Sequence, residues 1–219
     1  MSKEKALVLF SGGLDSTTMI AYLQSQGYDV SAFGLDYGQK HRKEIESAKI
    51  IAKKLGVKYH LHKVQPFGTS SALTGSSEVP DGHYEDESMK ITVVPNRNMI
   101  IIALATAYAI DNGITKIMYG AHYGDHAIYP DCRESFYEAM NYALNLCDYS
   151  KIELVAPFIR IRKDQIVSIG ADLGVPYELT WSCYKGNEKH CGKCGTCQER
   201  IEAFKLAGIE DPTVYEIEA

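Results

Sequence analysis

Ser11-Gly12-Gly13-Leu14-Asp15-Ser16, coming straight after the apolar run Ala6-Leu7-Val8-Leu9-Phe10, is the stretch that decides the fold. It reads as a strand, a tight glycine turn and the first turn of a helix. Such an arrangement offers free backbone N–H groups and the positive end of a helix dipole to an anion. Gly12 and Gly13 let the backbone take positive φ and come close to a ligand. Ser11, Ser16, Thr17 and Thr18 add hydroxyls, and Asp15 can hold a divalent ion among phosphate oxygens. Pyrophosphate, as part of a nucleotide, is the anion that suits this cradle. The bland alternative is a Ser/Gly-rich turn capped by Ser or Asp.

Outward from that loop the pattern alternates strand and helix. Strands are expected at Lys5 to Phe10, Asp29 to Asp36, Val57 to Val64, Thr115 to Gly120 and Glu153 to Ala156. Helices are expected at Asp15 to Gln26, His41 to Leu55, Asn98 to Asp111, Glu134 to Leu146 and Arg162 to Leu173. Continuous apolar strands between helices predict an α/β fold, a doubly wound parallel five-stranded sheet covered on both faces. Ligands of such sheets bind at the carboxyl ends of the strands. The polar stretch from Gln65 to Lys90 is too long for a simple connection and reads as a lid or a disordered segment.

At the other end of the chain, Cys183, Cys191, Cys194 and Cys197 form a C-x7-C-x2-C-x2-C pattern. Four thiolates with Gly192 and Gly195 between them suit a closed structural zinc site. A redox C-x-x-C pair competes, but two overlapping pairs sharing Cys194 favour a metal. An iron–sulfur cluster is the other occupant such ligands admit. The division expected is 1–180 for the nucleotide-binding domain and 181–219 for a zinc-binding segment packed on it.

Composition sets the outer bounds. A chain of 219 residues with 45% hydrophobic content can bury a full core. Its longest apolar run, Met99 to Ile110, has the length of a buried helix rather than a membrane span. The charged start before a six-residue strand does not resemble a signal peptide. Unpaired-looking Cys132 and Cys147 suggest a reducing cytoplasm. A net charge of −5 does not call for direct nucleic-acid binding.

Three loops other than the glycine turn fall at strand carboxyl ends, the first being Tyr37-Gly38-Gln39 after the second strand. Val94-Pro95-Asn96-Arg97-Asn98 places an always-charged fork just before a buried helix. Gly120 to Arg133 concentrates His122, Asp125, His126, Asp131 and Arg133. Each alone reads as a solvated loop residue or a cap; the concentration reads as a site. Lys163 stands at a helix start, where a cation is ordinarily unfavourable, so it is either phosphate-facing or a surface lysine.

The hexad lacks the spacing and the lysine of a Walker A loop. It resembles instead the SGGxDS loop of the PP-loop, or N-type ATP pyrophosphatase, superfamily. Taken with VPNRN, GAHYGDHAIYPDCR, TWSCYKG and HCGKCGTCQER, it makes the chain similar to the 7-cyano-7-deazaguanine synthase family of the queuosine pathway. These blocks run in the family's order over nearly the whole chain.

The resemblance implies an adenine nucleotide alpha hydrolase-like fold and an ATP-dependent carbon–nitrogen ligase. Its substrates would be 7-carboxy-7-deazaguanine and ammonia, each ATP activating an oxygen as an adenylate, first on the acid and then on the amide. It implies ATP held by Phe10 to Thr18, Mg²⁺ placed by Asp15, and structural Zn²⁺ on the four cysteines. Lys163 and Arg97 would act with Asp15 on the reacting groups. Asp125, Asp131, His122 and Arg133 would contact substrate, with Asp125 or Asp131 reading the guanine-like edge. It further implies a homodimer, for which the helix from Glu134 to Leu146 offers a face. Other readings are a different PP-loop ligase, a tRNA-modifying enzyme, and a nucleotide or zinc-binding module without turnover.

Overall fold

The central strand β1 (Lys5–Leu9) alternates its apolar side chains between two cores. Ala6 and Val8 face one, Leu7 and Leu9 the other, and these four are all buried. Two apolar faces require cover on both sides of a sheet, which is what the rest of the chain supplies. The computed structural model describes residues 3–185 and 188–216. Gly186, the end of the TWSCYKG block, and 217–219 of the expected zinc segment lie outside the described residues.

Five parallel strands are ordered β3-β2-β1-β4-β5, with β2 (Asp29–Asp36), β3 (Lys58–Lys63), β4 (Lys116–Met118) and β5 (Glu153–Val155). The expected strands are all present, shorter at β1, β3, β4 and β5. Helices α1 (Leu14–Ser25), α2 (Lys43–Leu55) and α5 (Lys163–Asp172) share the Ala6/Val8 core. Helices α3 (Arg97–Asp111) and α4 (Glu134–Leu144) share the Leu7/Leu9 core. The order reverses between β1 and β4, so the loops leaving those strands diverge and open a crevice.

A helix that the sequence pattern did not reveal, α6 (Gly195–Ala207), starts inside the cysteine motif and packs Ala203 and Phe204 into the Ala6/Val8 core. Its Arg200 is fully buried, pairs with Asp211 at 3.1 Å and bonds to Thr180 and the Tyr177 carbonyl. A buried guanidinium is tolerable because its donors are so fully met.

Of the two expectations for the 65–90 stretch, a lid or a disordered segment, burial overturns the second, and Tyr84 and Met89 line the site cavity. The stretch buries Ala72, Leu73, Val79 and Met89, three of them in a third core built around the four cysteines. An antiparallel bridge joins Asp81 to Cys194, and a 3-10 turn spans Glu87–Thr92. The run Glu87–Asp111 is apolar and long enough by composition to cross a membrane. It is broken at Val93 to Asn96, however, and α3 lays Ile102, Ala105 and Ala109 against the sheet. That is the packing of a core helix.

Candidate active site

At the head of β1 the chain turns at Gly12, whose φ of +87° favours glycine. A Cβ there would stand 2.5 Å from the Glu44 carbonyl and 2.7 Å from the Ala48 nitrogen of α2. Close approach of loop to helix therefore depends on the missing side chain. The Ser11 hydroxyl accepts from Gly13 N–H at 3.2 Å and lies 3.2 Å from the Ser16 hydroxyl. Gly13, the residue before α1, brings no side chain to cap the first turn. That end stays open toward anions.

The loop borders a cavity of about 270 Å³. Phe10, Ser11, Gly13, Leu14, Asp15 and Ser16 line it, whereas Gly12, Thr17 and Thr18 lie behind the wall. Thr17 turns its hydroxyl onto the Gly13 carbonyl at 2.7 Å, and Thr18 lies 3.4 Å from the Tyr177 hydroxyl. Both brace the turn.

A charged cluster stands beside Asp15. Lys163, first residue of α5, reaches Glu199 at 2.6 Å and Asp15 at 3.3 Å. Burial works against its charge, but Asp15 and Glu199 hold it well above the ordinary lysine range. Burial likewise pushes Asp15 up, yet Lys163 and His122 outweigh it and leave the carboxyl below its usual value. His122, 1% exposed, places Nε2 at 3.5 Å from Asp125 and 3.8 Å from both Asp15 and Glu199. Its Nδ1 accepts the Gly124 N–H at 3.1 Å.

The other end of the cavity is aromatic. Asn96 adopts φ +60°, a conformation asparagine tolerates better than most residues, and turns the chain into α3 with Arg97 at its start. Tyr37, Tyr129 and Tyr184 line the same wall as Arg97. Burial opposes the Arg97 charge, while Tyr37 and Tyr184 favour it.

Of the loop residues expected to meet substrate, Asp125 lines the cavity. Asp131 accepts the Asn98 N–H at 3.3 Å at the head of α3, and Arg133 donates to the His126 carbonyl at 3.0 Å. Neither is among the lining residues. Tyr37 and Gln39, from a loop the sequence placed at the site, line the cavity too; it also contains Glu44, Trp181, Tyr184 and Glu199, none of which the sequence singled out for the site. Only Trp181 and Tyr184, inside a recognisable block, carried any signal.

The four cysteines are buried, and their sulfurs lie within 4.8 Å of one another. Cys191 and Cys197 are 3.9 Å apart. Sulfurs around a tetrahedral zinc at about 2.3 Å stand about 3.8 Å apart, so the cluster fits a structural metal. Contacts with Cys183 and Cys197 drive the Cys194 thiol far below its ordinary range, while Cys197 is driven far above it. A bound cation relieves that conflict. His190 is buried behind the cluster, accepting the Ser182 N–H at 3.1 Å and stacking on Trp181.

A parallel sheet with a glycine phosphate loop at its switch point defines a nucleotide-binding α/β enzyme of the PP-loop type. Its fold resembles a predicted subunit of tRNA methyltransferase from Methanocaldococcus jannaschii, with a TM-score of 0.51 at 18% identity, covering 77% of this chain and 74% of that one. The family profile described as "Queuosine biosynthesis protein QueC" matches residues 5–208, and the chain belongs to that family. It is 54% identical to the 7-cyano-7-deazaguanine synthase of Caldicellulosiruptor saccharolyticus, over 98% of this chain and 96% of that protein. The synthase of Methanoregula boonei is 50% identical, over 97% of this chain and 99% of its own length. The expectation of an ATP-dependent enzyme of queuosine biosynthesis therefore stands.

Proposed function

We propose that this chain converts 7-carboxy-7-deazaguanine and ammonia to 7-cyano-7-deazaguanine, activating an oxygen with ATP twice in one site. Full-length similarity to synthases of that name supports the reaction. The observation that carries the site assignment is the meeting of the phosphate loop, Lys163 and Arg97 around one cavity. A carboxylate oxygen is a poor leaving group; linked to AMP it becomes a good one, and ammonia displaces it to give the amide. Adenylation of the amide oxygen followed by elimination gives the nitrile.

Backbone N–H groups from Gly12 to Ser16 and the hydroxyls of Ser11 and Ser16 hold the phosphates, with Phe10 and Leu14 beneath them and Thr17 and Thr18 bracing the turn. Asp15 Oδ1 is a buried carboxylate oxygen with no hydrogen-bond partner among the described residues, which fits an oxygen-ligating cation such as Mg²⁺. Asp15 would hold such an ion, which would supply positive charge against the pyrophosphate leaving group. Lys163 stabilises the phosphorus being attacked, and Arg97 clamps the carboxylate among the tyrosines. His122 orders the 122–133 loop, in which Asp125 lines the wall; Asp131 and Arg133 fix the loop to α3 and to itself. Zn²⁺ on Cys183, Cys191, Cys194 and Cys197 is structural.

The nucleotide-binding domain ends at residue 180, and the described residues beyond it pack on that domain; Phe204 in the main core and a Trp181 N–H bond to the Gly12 carbonyl support this. Exposed Tyr142, Leu146 and Tyr149 support a homodimer through the α4 region. Free cysteines, six in all, support a cytoplasmic setting. Incubation with ATP, Mg²⁺, ammonium and the acid should yield amide and then nitrile by mass, with the acid's oxygen on the released nucleotide. Label that never reaches the nucleotide would defeat the reading.

A further inference from the structure

Behind the phosphate loop lies a feature that nucleotide binding does not require. Asp15, Asp125 and Glu199 bring three carboxylates to one corner of the cavity, against the single ammonium of Lys163. With Asp15 Oδ1 given to the proposed Mg²⁺, Asp125 and Glu199 still set two carboxylates against one ammonium, a balance that favours entry of a further positive or strongly donating group. His122 forms the back of the corner. Its Nε2 is buried, has no hydrogen-bond partner among the described residues, and faces all three acids at 3.5–3.8 Å. Those separations exceed a hydrogen bond.

The tautomer of His122 decides what the corner accepts. Because Nδ1 takes the Gly124 N–H, the proton of the neutral ring sits on Nε2. A metal cannot use a ring nitrogen that bears a proton, so the His122–Asp125–Glu199 grouping lacks its nitrogen ligand for a metal. Water has two hydrogens for three carboxylates. Ammonia has three N–H donors and one lone pair, the complement of three carboxylates and one N–H.

We infer that Asp15, Asp125, Glu199 and His122 form the docking site for the ammonia nucleophile, an inference that rests on the proposed amide-forming reaction. Ammonium enters against the acids and yields one proton to Asp125, since Lys163 keeps its close contacts for Glu199 and Asp15. The freed lone pair attacks the carbonyl carbon of the adenylated acid. A C–N bond forms, the C–O bond to AMP breaks, and AMP leaves with that electron pair, its phosphate taking the second proton from nitrogen.

The test sets ammonium against hydroxylamine, which is already unprotonated at neutral pH, with ATP and acid saturating. Glu199→Gln and Asp125→Asn keep size and remove charge. Both should raise the KM for ammonium about tenfold and lower the amide-to-hydroxamate ratio by a similar factor. An unchanged ratio in both variants overturns the site. So does a raised Mg²⁺ requirement with unaltered ammonium KM, which gives the corner to a divalent ion. Unaltered protein forming neither product would bring down the adenylation reading, and this inference with it. Should both variants fail to fold, isotope-labelled ammonium titrated with the unaltered protein should show saturable line broadening. Broadening that grows linearly, without saturation, overturns the site.

Discussion

The phosphate loop and the cysteine cluster are both short, glycine-broken stretches, yet they hold their shapes by opposite means. The loop is wired by its own hydroxyls and by a glycine pressed against α2. Its anion-binding groups are in place before any ligand arrives. The cluster gathers four buried thiols within 4.8 Å of one another, an arrangement compatible with a structural metal. One is preorganised by packing, the other suited to being held by an ion. Between them runs Lys163, pairing with Asp15 of the loop and with Glu199 of the helix that the cysteines start.

The sharpest break falls on the cysteine side. Cys194→Ser should release the bound metal and destabilise the protein by more than about 4 kcal/mol, a range associated with losing a metal site. Metal analysis and thermal unfolding check it; a metal-free variant with unchanged Tm would show that the cluster stands without its ion. On the preorganised side, Asp15→Ala should lower turnover about a thousandfold with melting little altered. Steady-state kinetics beside a melting curve measure both.

Asp211→Asn comes next. The buried Arg200 loses its counter-ion, at about 3 kcal/mol. Burial pushes Asp211 up, but Arg200 outweighs it, so the folded pKa lies below the unfolded one. Its contribution is therefore present above the ordinary carboxylate value and fades as pH falls through the depressed one. The variant should lose this portion of the acid-side decline in stability, which denaturant titrations at stepped pH would reveal. Smallest is Gly12→Ala, where left-handed φ and the α2 backbone together cost about 1–3 kcal/mol. It should weaken ATP binding more than it lowers Tm; calorimetric titration separates the two.

The same contrast explains what could be read from residues alone. Strand, glycine turn and helix are contiguous, so β1, the loop and α1 declared themselves. The periodic burial of Ile45, Ala48, Ile51 and Ala52 made α2 equally plain. The cysteines announced themselves by spacing. Hidden were features whose partners lie far along the chain. Helix α6 has no Ser, Asp or Asn before it and buries Glu199 and Arg200 where apolar residues would mark a helix. Glu199 is read as a site residue only when Lys163, 36 positions earlier, is seen beside it. The 65–90 segment packs around sulfur atoms rather than along a helix or strand, so no period betrays its burial. Asp131 and Arg133 drew attention as polar loop residues at a strand end, a place where side chains also serve as struts, and here they bond to the Asn98 N–H and the His126 carbonyl.

Cys197 and Glu199 sit two positions apart on one helix, with Cys197 in the sulfur cluster and Glu199 at the reaction chamber. A shortage of the ion would thus reach the chemistry through a single turn of backbone, loosening the anchor of Lys163 while the glycine turn kept its grip on nucleotide. Protein made under metal starvation would retain ATP yet react it slowly, a behaviour that tells the two halves apart inside a living cell.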